Sequence, residues 1–198
     1  MKILIISGTP KTDGITYSFV TAAEETIAEL GLESETLHLS QLNLTQCKMC
    51  TDGWGVCYSE HRCMYGDEDG FNALQEKVRD ADAYIYISPV YWYEPSEAMK
   101  LFVDKLRRCQ ATKKWDAREQ EVSFHKNKPS ILVSNAGGGG GGNLPTLSYL
   151  ERALLHMEGD EVPRNTSGIF DCITVNRWNH EYKLVAFKAA IKAMAAQK

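Results

Sequence analysis

The chain has 198 residues, 43% hydrophobic and 24% charged, with a formal net charge of −4 and a pI near 5.8. That length suits one domain, residues 1–198, with a full core. The acidic balance argues against a nucleic-acid or anionic-membrane partner, since both need a concentrated basic face.

The elements follow in chain order. Ile3 to Ile6 is a short apolar run that reads as a parallel strand buried on both faces. It is far too short for a signal or spanning segment, and no other stretch approaches membrane length. A cytoplasmic location is therefore expected, with the six cysteines as thiols or ligands rather than disulfides. Phe19, Val20, Ala23, Ile27 and Leu30 recur at helical spacing, and Gly31 stops that helix. Glu33 to Leu39 alternates as a second strand. Residues 47–66 form a cysteine-rich loop. Asp67-Glu68-Asp69 favours a helix start, with Phe71, Leu74 and Val78 as its apolar face.

Ala83 to Ile87 is a third strand, and Pro95 suits the first position of the helix that carries Leu101, Phe102 and Leu106. Residues 110–127 read as a polar surface excursion, and Ile131-Leu132-Val133 as a fourth strand. Leu147, Leu150, Leu154 and Leu155 mark a helix, residues 169–175 hold a fifth strand, and residues 181–196 close the chain as a helix. The basic clusters at 105–108 and Lys113-Lys114 read as solvated helix ends. Alternating strands and helices predict an α/β fold: a flavodoxin-like doubly wound sheet of five parallel strands, order 2-1-3-4-5, with helices on both faces.

Three loops then fall at the carboxyl edge of the sheet, where ligands bind in this architecture. The first, Ser7 to Thr16, offers Thr9, Thr12 and Thr16 hydroxyls, the Lys11 amine and the amides of a helix start, a set able to enclose a phosphate. It lacks both G-x-x-x-x-G-K-[ST] and G-x-G-x-x-G, and the second strand ends without the acid that would hold a ribose. A mononucleotide phosphate therefore fits better than a P-loop or a dinucleotide site. The second loop places Tyr91, Trp92 and Tyr93 in succession, able to border a planar heterocycle. The third, "NAGGGGGGN" from Asn135 to Asn143, lets backbone amides approach a ring or phosphate closely.

"SGTPKTDGIT", "SPVYWYEPSEAMKLFVDKL" and "NAGGGG" resemble the three flavin loops of the NADPH-dependent FMN reductase family, which is flavodoxin-like and includes the iron–sulfur flavoproteins. The family pattern G-S-P-R-x-x-[GS]-N-T is matched with Thr9 for Ser, Lys11 for Arg and Ile15 for Asn, while Thr16 is retained. The resemblance implies that Thr9, Lys11, Thr16 and the backbone of Ile15 hold the FMN phosphate. It implies that Pro89, Val90, Tyr91 and Trp92, with Asn135, Ala136, Gly137 and Gly138, lie against the isoalloxazine. No catalytic side chain is implied, because flavin N5 carries the hydride chemistry. NAD(P)H is the implied co-substrate, a quinone, flavin, nitro compound or redox protein the implied acceptor, and a homodimer or homotetramer the implied assembly. The glycines beyond Gly138 exceed the pattern and read as freedom to close over a nicotinamide.

Cys47, Cys50, Cys57 and Cys63 stand at x2, x6, x5 spacing. Such density suggests ligands for an iron–sulfur cluster or zinc, and a metal-free loop is the third reading. The compact run of iron–sulfur flavoproteins points to a [4Fe-4S] cluster, although the insert 51–56 departs from it. A cluster-bearing electron carrier and a flavodoxin-like carrier without enzymatic activity are the alternatives. A low-molecular-weight phosphatase is excluded, because no cysteine has an arginine six positions on. Cys109 and Cys172 read as core residues, and His61 and Arg62 as solvent-facing.

Overall fold

The computed structural model describes residues 1–51, 55–110, 124–125, 127–158 and 169–197. Lys113-Lys114 and most of the predicted excursion lie outside the described residues. The strands are β1 (Lys2–Ser7), β2 (Glu33–His38), β3 (Ala83–Tyr91), β4 (Glu94–Pro95), β5 (Ser130–Asn135) and β6 (Ile169–Val175). The helices are α1 (Gly14–Glu29), α2 (Gly55–Ser59), α3 (Phe71–Asp80), α4 (Glu97–Gln110), α5 (Asn143–Glu158) and α6 (His180–Ala195).

The long strands pair in the order β2-β1-β3-β5-β6, every pair parallel. This is the predicted 2-1-3-4-5 order with one strand added. The addition, β4, pairs antiparallel with the end of β3, Val90 opposite Pro95 and Tyr91 opposite Glu94. Pro95 therefore sits in a hairpin instead of opening the helix. Ser96 precedes α4, and its Oγ accepts from the Met99 N–H at 3.4 Å.

Alternation along the central strands sends successive side chains to opposite faces. Leu4, Ile6, Tyr84, Tyr86 and Leu132 pack under α3, α4 and α5. Ile3, Ile5, Ile85, Ile87, Ile131 and Val133 pack under α1 and α6. Both faces are covered, which is why these strands read as unbroken apolar runs. The edge strand β6 is different: Asp171 and Cys172 are exposed, so Cys172 is not a core residue. A sheet edge has no neighbour to cover it, and the strand order places this strand last.

His125, within the predicted surface excursion, is completely buried. Its Nε2 meets the Tyr86 hydroxyl at 2.7 Å and its Nδ1 the Gln110 Oε1 at 2.9 Å. Gln110 Oε1 also accepts from the Phe124 N–H, so Nδ1 carries the proton and Tyr86 donates to Nε2. Burial, with the nearby Lys128 charge, pulls the imidazole pKa down to about 3. The unfolded chain protonates His125 near pH 6.5 and the folded chain does not, so stability falls with pH from about 6.5 toward 3. Between pH 7.5 and 5 this one group accounts for about 2 kcal/mol. Denaturant unfolding of His125→Phe at the two pH values should show a smaller loss by about that amount; equal losses in variant and parent would reject the assignment.

Candidate flavin edge and cysteine cavity

The loop after β1 is shaped by its own hydroxyls. Ser7 Oγ accepts from the Thr9 N–H at 3.5 Å, Thr9 Oγ1 accepts from the Lys11 N–H at 3.3 Å, and Ser40 donates to the Thr9 carbonyl at 2.9 Å. Thr9 and Thr16 are buried, whereas Lys11, Thr12, Asp13 and Gly14 are exposed. Asp13 precedes α1 without a side-chain cap bond. The first-turn amides of a 16-residue helix thus face the loop without intrahelical acceptors, the arrangement that binds anions. Ile15 packs its side chain into the α1–α6 core, so only its backbone is available to a ligand.

The loop after β3 is a tight hairpin. Trp92 and Tyr93 occupy its turn at φ of 50° and 68°, conformations that favour Asn or Gly and cost about 1–3 kcal/mol each in other residues. Trp92 is 95% exposed and Tyr93 62%. Pro89 is buried and Val90 half-buried behind them. Ser96 Oγ donates to the Gly8 carbonyl at 2.7 Å, and Ser88 Oγ accepts from the Ser96 N–H at 3.1 Å, so the first two loops are tied together.

The third loop joins them through Asn135, whose Nδ2 donates to Thr16 Oγ1 at 2.7 Å. Asn135 is buried, and its Oδ1 has no hydrogen-bond partner among the described residues. The Ala136 N–H donates to the Val175 carbonyl at 3.0 Å. Gly138, Gly140 and Gly142 have φ of 63°, 85° and 91°. A Cβ on Gly142 would stand 2.6 Å from Val90 Cγ1 and 2.8 Å from Tyr93 Cα. The glycines beyond Gly138 therefore have a structural reason: they let the loop turn tightly and press on the hairpin. A Cβ on Gly137, by contrast, would meet nothing within 4 Å.

A second locus lies along α4. Cys47, Cys50, Cys57 and Cys63 line one cavity of about 30 Å³ together with Cys109, Lys105 and Arg108. Cys109, buried as a core residue, also borders this cavity, four residues after Lys105 on one helix stripe. Burial raises the Cys57 thiol, and neighbouring Cys50 adds to that, while the Arg108 charge opposes it. Burial likewise raises Cys109. His61 is half-buried, its Nδ1 3.3 Å from the Cys109 carbonyl, whereas Arg62 is exposed and bonds Glu60 at 3.1 Å. With 14 residues, α4 is about 21 Å long; its N-terminus meets the hairpin and its C-terminus the cysteine cavity.

A parallel sheet of this order, with a hydroxyl-lined helix start and two further loops at its carboxyl edge, defines a flavodoxin-like fold. More narrowly, the chain belongs to the NADPH-dependent FMN reductase family, whose profile matches residues 1–168. It is similar to an iron–sulfur flavoprotein of Methanocaldococcus jannaschii, 34% identical over 107 residues that cover 54% of this chain and 52% of that one. The match therefore spans about half that relative's length. An iron–sulfur flavoprotein of Methanosarcina thermophila is 28% identical over 159 residues, covering 80% of this chain and 75% of its own. Among solved structures, the NAD(P)H:quinone oxidoreductase of Methanothermobacter marburgensis shares the fold: TM-score 0.66 at 14% identity, covering 100% of this chain and 98% of that one.

FMN, the family's cofactor, suits the residues present. The unpaired Asn135 Oδ1 and the open space over Gly137 leave a polar atom and a flat backbone surface for a flavin ring. The cysteine cavity offers an all-sulfur donor set beside two cations. A single tetrahedral ion would need sulfurs about 3.8 Å apart, given bonds of about 2.3 Å. Among the described residues no three His, Cys, Asp or Glu side chains are gathered closely enough to hold a metal ion. An all-thiol donor set of this kind suits an iron–sulfur cluster or zinc.

Proposed function

We propose that the chain is an NAD(P)H-dependent FMN oxidoreductase that passes electrons to a small-molecule acceptor, a quinone, flavin or nitro compound, or to a redox protein. The observation that carries this reading is the three-loop assembly, held by the Asn135–Thr16 bond at 2.7 Å with Asn135 Oδ1 left for a ligand. Bound FMN supplies the chemistry: two electrons and a proton arrive as hydride from the nicotinamide and leave to the acceptor. The protein binds and orients. Thr9, Lys11, Thr16 and the Ile15 amide hold the phosphate; Pro89, Val90, Tyr91 and Trp92, with Asn135, Ala136, Gly137 and Gly138, frame the ring. Among the described residues no helix is long and apolar enough to cross a membrane.

Four cysteines on one cavity favour a second component, a [4Fe-4S] cluster on Cys47, Cys50, Cys57 and Cys63, as in an iron–sulfur flavoprotein carrier. Self-association as a dimer or tetramer fits the exposed Trp92, Tyr93 and Leu144, and light scattering tests it. The deciding measurement is a visible spectrum of anaerobically purified protein before and after NADPH, then dithionite, with iron and zinc analysis. Flavin bands bleached by NADPH are expected, with broad iron–sulfur absorbance alongside. A protein that FMN titration cannot saturate would reject the main reading, and absent iron would reject the cluster.

A further inference from the structure

A fourth turn stands at the same edge, and the flavin reading leaves it unused. It follows β6, the neighbour of β5, where Asn135 lies opposite Val175. Side-chain amides lock it. Asn176 Oδ1 accepts from the N–H groups of Trp178 at 2.9 Å and Asn179 at 3.0 Å. Asn179 Oδ1 accepts from the Asn176 N–H at 2.8 Å, and Asn179 Nδ2 donates to the Thr174 carbonyl at 3.4 Å.

On this fixed turn stand two side chains the fold itself does not employ. Trp178 is 74% exposed. The indole approaches the glycine loop, its Cζ3 3.7 Å from where a Gly139 Cβ would be. Arg177 is exposed and makes no ion pair among the described residues. On the other flank of the glycine loop, the Tyr93 hydroxyl lies 3.5 Å from the Gly141 Cβ position. Gly137 and Gly138, proposed to face the flavin ring, adjoin the residue that the indole approaches.

We propose that Trp178 and Arg177 form the subsite for the nicotinamide dinucleotide: the indole stacks on one of its rings and the guanidinium takes a phosphate. This rests on the reading of the chain as an NAD(P)H-dependent FMN oxidoreductase. A flat π surface and a fork-shaped cation on consecutive residues match a ligand that carries ring and phosphate together. A quinone or nitro compound has no phosphate for Arg177, and the FMN phosphate is provided for at the loop after β1. In a chain of net charge −4, an exposed arginine on this turn, without an ion pair among the described residues, is a local attraction for an anion.

Anaerobic stopped-flow reduction of the FMN-loaded protein by NADPH and by NADH tests this. Trp178→Ala should raise the dissociation constant of both nucleotides about tenfold and Trp178→Phe by no more than about threefold, as expected for loss or partial retention of one ring stack. Arg177→Gln should weaken NADPH alone if the guanidinium meets the 2′-phosphate, or both nucleotides if it meets the pyrophosphate. FMN affinity and menadione-driven reoxidation of dithionite-reduced protein should stay at parent values. Unchanged nucleotide affinity in Trp178→Ala and Arg177→Gln would overturn the proposal. So would slowed menadione reoxidation with nucleotide affinity intact, or loss of a dimer as the only effect. If the parent protein binds no FMN, the underlying reading falls as well; an FMN-replete, NADPH-reducible protein indifferent to these changes sinks the subsite alone.

Discussion

Asp69→Asn is expected to lower the melting temperature by about 10 °C. The Asp69 carboxylate and the Lys105 ammonium pair directly, both side chains only 3% exposed. Removing one member of a buried pair leaves the other charge uncompensated, at about 3–5 kcal/mol, and each kcal/mol moves the midpoint by about 2–4 °C at this chain length. Asp69 Oδ2 also accepts from the Thr45 N–H and hydroxyl, both at 2.8 Å, and Oδ1 accepts from the Phe71 N–H at 3.1 Å. One carboxylate thus joins the segment ahead of Cys47, the start of α3 and the middle of α4. The double variant Asp69→Asn with Lys105→Met should recover part of the loss, since it removes the stranded cation. Differential scanning calorimetry of the three variants decides the matter: an unchanged midpoint for Asp69→Asn would show that the pair does not hold these elements together.

The same group sets an acid limit. Burial pushes the Asp69 carboxyl up, but the Lys105 bond and the Thr45 and Phe71 donors outweigh it and hold the pKa below the usual value. A depressed folded pKa contributes stability that is complete above the unfolded value near 3.9 and is lost as pH falls through the folded one. His125 acts across a higher window, so acid sensitivity should show two stages. The one that begins near pH 6.5 belongs to the imidazole.

The second large effect concerns the glycine loop. Gly142→Ala is expected to weaken FMN binding at least about tenfold, since φ of 91° strains any side chain by about 1–2 kcal/mol and the new Cβ displaces Val90 and Tyr93. The hairpin bearing Tyr91 and Trp92 would then shift from the proposed ring site. Gly141→Ala is the control: its Cβ meets the Tyr93 hydroxyl at 3.5 Å, an ordinary contact, and it should bind FMN normally. Gly137→Val separates fold from site, because a Cβ there meets nothing within 4 Å while the proposed flavin ring would lie against it. Fluorescence titration with FMN measures all three. Equal affinity in Gly142→Ala and Gly141→Ala would mean that the loop's approach to the hairpin does not shape the site.

Legibility from sequence varied with the origin of each signal. The apolar runs at Ile3 to Ile6, 83–87 and 131–133 announced central strands because both of their faces are covered. Cys172 reads as a core residue from its place in a strand, but that strand is the sheet edge and leaves it exposed. His125 and Gln110 looked like surface residues in a polar stretch; their burial depends on a hydroxyl, Tyr86, distant in the chain. Pro95 carried a helix-start signal, but the hairpin at Trp92 and Tyr93 claimed it first. Trp178 carries no sequence motif, because its place beside Gly139 exists only in the folded chain.

The α/β alternation, the strand order that follows from it, the three loops at strand ends and the cysteine density are all written in the chain. Each is a local property, written in periodicity, turn chemistry or spacing over a few residues. Tertiary structure alone decided that Asn135 reaches Thr16 and leaves one oxygen unpaired, that Cys109 joins the four loop cysteines, and that Lys105 is neutralised by Asp69. It also decided that the later glycines serve the Tyr93 hairpin. The reason is physical: hydrogen bonds, ion pairs and close backbone approaches depend on distances between residues remote in the chain, which exist only once the sheet has brought its strand ends together.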